Sequence, residues 1–287
     1  MTKNLLKQVM SKAPKGGSGT TKEDFVDFTE GLTDIIQSGY LAQTKSYFSK
    51  KDYFAPSTLT YGAGECARFW YLAFDGAVFE DNSDAYGVAN RTQGSMGHER
   101  IQKAVLNSGL LVEDMEFDTE VRKYNKQVHP AMEFRVKTQD PPINGYGDVM
   151  LNYNGNRILG EIKTSPSDAF EYKKINKKPK LGHLMQLIIY MKILKVDKGV
   201  VIYENKNNHE LLALPVSVND RYRQWVDNAF DWMRTVRKAW VDRTMPQKTY
   251  RSNSKICKNC PLQKACAEAE TGVIKIKPLE LLENETL

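Results

Sequence analysis

Apolar residues at helical spacing, Phe25, Phe28, Leu32, Ile35 and Ile36, predict a helix over residues 23–48. A second helix is expected after Pro56, with Ser57 as N-cap and with Cys66, Arg68, Trp70 and Tyr71 along it. Residues 76–94, rich in Gly, Asn, Asp and Ser, read as a loop before a helix over 95–107. The pattern then shortens. Strands are predicted at 115–122, 131–138, 145–153 and 157–164, with Pro141-Pro142 separating the second from the third. Asn154-Gly155 marks a hairpin turn between the last two. Residues 165–180 read as a polar, lysine-rich connection, and LGHLMQLIIYMKILK at 181–195 as a strong helix. Two strands, 199–203 and 210–216, precede an amphipathic helix over 218–243 with Tyr222, Trp225, Val226, Phe230, Met233 and Val236 on its apolar face. The order predicts an α/β fold, a mixed central sheet flanked by helices.

Composition narrows the class. The chain has 287 residues, 41% hydrophobic and 26% charged, an ordinary balance for a soluble globular protein. No apolar run approaches the about 20 residues that span a bilayer. The opening MTKNLLKQVMSKAPKGGSGTTK lacks the apolar centre of a secretory signal, so a cytoplasmic location is expected. The expected organisation is a flexible basic segment 1–22, a folded domain 23–271 and an acidic tail 272–287. Net charge is +6. Lys173, Lys174, Lys177, Lys178 and Lys180 form one basic cluster, and Arg251, Lys255, Lys258 and Lys264 another. Such clusters suit a polyanion, and DNA is the expected partner.

The stretch Gly145–Thr164 carries candidate chemistry. Asp148 lies on one strand of the hairpin, and Glu161 and Lys163 on the other. Alternation points Glu161 and Lys163 the same way, with Ile162 buried behind them. Two converging carboxylates repel unless a cation joins them, so a divalent metal is expected there. Glu-x-Lys recurs at Glu171 and Glu204, but only the copy at Glu161 follows an apolar strand and an upstream Asp. His98 lies in a helix, where a lone histidine is more often structural than a ligand; an imidazole joined by carboxylates would suit manganese better than magnesium. Gln186 and Tyr190, four apart, share one helix face and could position a phosphate or the lysine. The 4 cysteines are Cys66, Cys257, Cys260 and Cys266. In an intracellular chain metal is the better reading than disulfides, and the chemistry leaves zinc and an iron–sulfur cluster both open.

An Asp, a hairpin and then Glu-x-Lys resembles the PD-(D/E)XK nuclease superfamily. The run Gly94-Ser95-Met96-Gly97-His98-Glu99-Arg100-Ile101, the Gln-x-x-x-Tyr of Gln186 and Tyr190, and Tyr203-Glu204-Asn205-Lys206 are similar to hallmarks of its RecB-like branch. One cysteine before the core and three after it, with the Ser57–Leu72 stretch, look like the iron–sulfur subset that includes CRISPR-adaptation exonucleases and the helicase–nuclease subunit AddB. The resemblance implies a restriction-endonuclease-like core with its N- and C-terminal segments clamped by cysteines. It implies a metal-dependent DNA exonuclease acting on single strands or free ends, in replication, recombination, repair, or CRISPR or phage DNA processing. One or two Mg or Mn ions would be held by His98, Asp148, Glu161 and the Ile162 carbonyl, with Lys163, Gln186 and Tyr190 also catalytic. A [4Fe–4S] cluster would sit on Cys66, Cys257, Cys260 and Cys266, with zinc as the alternative. Lys173, Lys174 and Lys206 would contact nucleic acid. Phe69, Trp70 and Tyr71 would either stack bases or fill the core. The proline often found before the catalytic Asp is replaced by Tyr146-Gly147. The rival reading is a non-catalytic nucleic-acid-binding protein with a structural metal cluster.

Overall fold

The alternation over residues 131–165 forms three antiparallel strands: β1 (Met132–Gln139), β2 (Pro142–Tyr153) and β3 (Asn156–Ser165). β4 (Lys198–Asn205) lies parallel to β3, and β5 (Leu211–Ser217) antiparallel to β4, giving one mixed sheet of order β1-β2-β3-β4-β5. The computed structural model describes residues 31–42, 50–80, 83–113, 129 and 131–282. The expected strand 115–122 and the N-terminal segment 1–22 lie outside these, as do the flanks of the first expected helix, of which α1 (Leu32–Ala42) is described.

The segment expected as one helix after Pro56 is divided. It comprises α2 (Pro56–Leu59), a 3-10 turn (Gly62–Glu65) and α3 (Ala67–Asp75). Cys66 occupies the extended N-cap of α3, so the break places this thiol at a joint. The expected loop 76–94 is largely helical. Helix α4 (Ala85–Asn107) begins ten residues earlier than the pattern suggests, because the Asp84 side chain accepts from Gly87 N at 2.7 Å and caps it. The lysine-rich connection is likewise helical, as α5 (Ser167–Asn176). It buries only Phe170 and Lys173, too little apolar repetition to read from sequence.

Helix α6 (Leu181–Leu194) is buried from Leu184 to Met191, on every face rather than one. Helix α7 (Asp220–Val241) packs Trp225, Val226, Phe230 and Met233 inward. The C-terminal segment holds α8 (Lys255–Lys258), α9 (Gln263–Glu268) and an extended stretch. That stretch, expected as a loose acidic tail, is tied down over its described part. Trp232 Nε1 donates to Lys277 O and Trp225 Nε1 to Glu280 O, each at 2.8 Å, and Ile276, Leu279 and Leu282 are buried. Among the described residues no helix is long and apolar enough to cross a membrane.

Helix α4 meets the sheet through glycine. A Cβ on Gly97 would lie 2.4 Å from Thr164 Cγ2, whereas one on Gly94 would sit in ordinary contact 3.9 Å from Thr164 Oγ1. Gly97→Ala should therefore destabilise the protein by about 1–3 kcal/mol. Gly94→Ala should be neutral or stabilising by up to about 1 kcal/mol, because alanine favours the helix. Urea unfolding of the two variants beside the parent checks the opposite signs.

Candidate active site

β2 and β3 pair from Tyr153–Asn156 to Val149–Gly160 and then part. Beyond that point β2 continues against β1, and β3 against β4. Asp148 and Glu161 stand where the strands separate. The Ile162 N–H donates to Asp148 Oδ2 at 2.6 Å, a side chain replacing the missing strand. The Asp148 carbonyl accepts from Gln102 Nε2 of α4 at 3.1 Å. His98, on the same helix, places Nδ1 3.6 Å from Asp148 Oδ1, beyond hydrogen-bond length but within ion-pair reach.

Glu161 is 1% exposed, and its Oε1 accepts from Lys163 Nζ and, at 2.7 Å, from Gln186 Nε2. Tyr190 partners Gln186 and accepts the backbone N–H of Tyr146. Its hydroxyl occupies the place of a Gly145 side chain, where a Cβ would lie 2.2 Å from Oη. Thus α4, β2, β3 and α6 bring His98, Asp148, Glu161, Lys163, Gln186 and Tyr190 together. The Ile162 side chain is fully buried, as alternation implies.

The two carboxylates differ in charge preference. Burial and the nearby Asp148 push Glu161 up to about 8, against the pull of Lys163. Burial would raise Asp148 too, but His98, Lys163 and the Ile162 N–H outweigh it and hold it below the usual range. Burial opposes the Lys163 ammonium, and Glu161 and Asp148 overcome that and raise its pKa. Burial also raises the Tyr190 phenol, aided by both acids, so it stays neutral. Among the described residues no three His, Cys, Asp or Glu side chains stand close enough together to hold a metal ion as placed. Asp148 is turned to Ile162, and Glu161 to Lys163 and Gln186.

One participant, His183, escaped the sequence reading. His183 lies one turn before Gln186 on α6, and its Nδ1 is 2.8 Å from Tyr203 Oη. Burial, with Lys163, Lys180 and Lys173 nearby, pushes it down to about 3, so it is neutral. The spacing His183, Gln186, Tyr190 is a polar stripe in an apolar helix, a signal available beforehand. Glu204, buried, receives Arg100 Nε at 3.1 Å and an Arg100 terminal nitrogen at 2.6 Å, binding the His98 helix to β4. Lys206 is drawn into the same joint, with Nζ 3.0 Å from Asn90 Oδ1.

The expected nucleic-acid lysines divide. Lys173 is buried and donates to Ser165 Oγ at 3.0 Å and Ala169 O at 2.7 Å, which removes it from the solvent-facing set. Lys174 stays at the surface, paired with Glu210 at 2.6 Å. Phe69, Trp70 and Tyr71 are buried, which places them in the core and not on a stacking surface.

Cys66, Cys257, Cys260 and Cys266 are unpaired thiols lining one cavity of about 290 Å³. Burial and the other three sulfurs push Cys260 up to about 12, against a Leu262 backbone hydrogen bond. Burial also raises Cys66, against the backbone N–H groups of Phe69 and Arg68. Arg68, 1% exposed, donates Nε to Cys266 Sγ at 3.2 Å. Its other nitrogens bond Pro246 O at 2.8 Å and Glu270 O at 2.7 Å. One buried guanidinium thereby holds the C-terminal segment against α3.

No protein-family model and no curated protein matches the chain. Its fold is similar to that of SSO0001, with 15% identity and a TM-score of 0.38 over 86% of this chain and 100% of that one. It is also similar to the alkaline exonuclease LHK-Exo from Laribacter hongkongensis, with 9% identity and a TM-score of 0.47 over 72% and 95%. Against LHK-Exo in complex with dAMP the identity is 10% and the TM-score 0.47, over 67% and 90%. What the site does must follow from its own side chains.

The raised Glu161 pKa has a measurable sign. Between its ordinary 4.5 and about 8 the folded chain holds a proton that the unfolded chain releases. Stability from this group is therefore full below pH 4.5 and falls as pH rises to 8, by up to about 1.4 kcal/mol per unit. Glu161→Gln should remove that slope in chelator-treated protein, measured by urea unfolding across the window.

Proposed function

We propose that the protein is a metal-dependent DNA nuclease acting as an exonuclease on single strands or free ends. The supporting observation is the meeting of Asp148, Glu161 and Lys163 at the parting of β2 and β3, with His98 beside them. Two buried acids, one driven towards its neutral form by burial and by the other, suit a site that would take a cation. His98, Asp148, Glu161 and the Ile162 carbonyl would hold one or two Mg or Mn ions. Such an ion supplies a bound water of lowered pKa and a Lewis acid for the phosphate. Lys163, paired with Glu161, would stabilise charge on the phosphate oxygens. Gln186 steers Glu161, and Tyr190 holds the strand bearing Asp148. Lys174 and Lys206 are the outer contacts to the DNA backbone. Exonuclease action and the RecB-like assignment follow the sequence resemblance.

We read the cavity lined by the four cysteines as a [4Fe–4S] site, with zinc the alternative. Four thiols lining one cavity supply the donor set of such a cofactor, and Arg68 contributes a positive donor to one sulfur. The cofactor would join the segments before and after the sheet.

A non-catalytic nucleic-acid-binding protein with the same cofactor is the second reading. It is favoured by the occupation of Glu161 by protein partners. Degradation of labelled single- and double-stranded DNA separates the two. Asp148→Ala, Glu161→Ala and Lys163→Ala should each lower Mg- or Mn-dependent degradation at least about a hundredfold with circular dichroism unchanged. Degradation at the parental rate by these variants would rule out catalysis here.

Protein purified without oxygen should be brown, with broad absorbance at about 400 nm, and should lose both colour and stability on Cys→Ala change at any of the four positions. Colourless, zinc-loaded protein would replace iron by zinc.

A further inference from the structure

We propose that Tyr146 and Arg135 form a base-stacking platform for single-stranded nucleic acid next to the acidic site, an inference that rests on the nuclease reading above. Tyr146 is two residues before Asp148 on β2, about 7 Å along the strand. Tyr146 is 46% exposed, while Phe69, Trp70 and Tyr71 are buried. Arg135 is its partner in the β1–β2 register, with the guanidinium carbon 5.8 Å from the ring centroid and a terminal nitrogen 3.3 Å from the hydroxyl.

The strand that carries the ring is braced from behind. Tyr190 accepts the Tyr146 backbone N–H, and Gly145 leaves the space that lets it do so. A surface aromatic gains little for the fold from such support. A stacking surface gains much, because a pre-set ring loses less freedom when a base covers it.

The pattern repeats outward. Lys137, two residues beyond Arg135 on β1, lies with its ammonium 5.0 Å from the ring centroid of the half-buried Tyr53. Two cation–aromatic pairs thus lead away from Asp148, with both cations on β1 and the rings on β2 and on the segment before α2. Interleaved cations and rings bind single strands, the rings taking base faces and the cations the backbone. The faces of paired bases are covered by their stacked neighbours in a duplex, so the platform selects unpaired strands. Tyr146-Gly147, where the resembling family often has proline, is then a substrate feature of this chain.

The test measures binding of fluorescein-labelled oligo(dT) and of a labelled hairpin duplex by anisotropy in EDTA, alongside degradation of both with Mn. Tyr146→Ala should weaken oligo(dT) binding about tenfold or more, with duplex binding within about twofold of the parent. Tyr146→Phe, which keeps the ring, should bind as the parent does. An unchanged melting curve serves as the fold control. Equal loss on both DNAs, or no loss on either, overturns the platform. If the parent degrades DNA and Tyr146→Ala leaves oligo(dT) binding intact, only the platform falls. A parent that neither binds nor degrades DNA removes the nuclease reading beneath it.

Discussion

At the parting of β2 and β3, the amide of Ile162 has no neighbouring strand on that side, and the Asp148 carboxylate accepts it instead. An unpaired buried amide costs about as much as a lost hydrogen bond, so the sheet can open here only because an acid stands at the opening. The same acid is thereby buried next to Glu161. Structure and chemistry share one side chain: what completes the backbone hydrogen bonding also brings two acids together.

The surroundings hold this arrangement in place. Lys163 and Gln186 satisfy Glu161, since an unpaired buried carboxylate would be far more costly than the pair. The helix bearing His98 approaches β3 at Gly97 and is locked to β4 by the two-point contact of Arg100 with buried Glu204. Because Arg100 follows His98 by two residues, the clamp governs where the imidazole stands. On α6, Tyr190 secures β2 and Gln186 secures β3, so a single buried helix bridges the two edges of the opening.

Away from the sheet, Arg68 organises the chain's later part. Its guanidinium gathers Pro246, Cys266 and Glu270 onto the helix that begins after Cys66. The extended stretch beyond it crosses α7 under Trp225 and Trp232, and its Leu279 N–H returns to Glu65 O at 2.9 Å. Protein contacts thus bring the four thiols to one cavity, and a cofactor there would tie the same segments further.

Strand periodicity, the Asn-Gly turn and the apolar run 181–195 were enough to place the described strands and helix α6, because these depend on side chains repeating over short distances. The spacing also singled out Asp148, Glu161, Lys163, Gln186 and Tyr190. Helix α4 was half hidden, since its contact with the sheet is made by glycine, which leaves no apolar mark, and α5 buries too few side chains to show a period. Lys173 looked like one lysine among several, and only the turn of α5 carried it inside. Nothing in the order of residues could pair Arg100 with Glu204, 104 positions away, or Arg68 with Cys266, 198 away. The chain alone determined which residues could do chemistry; the tertiary structure decided which of them meet, because burial and charge pairing depend on distances through space that local spacing does not encode.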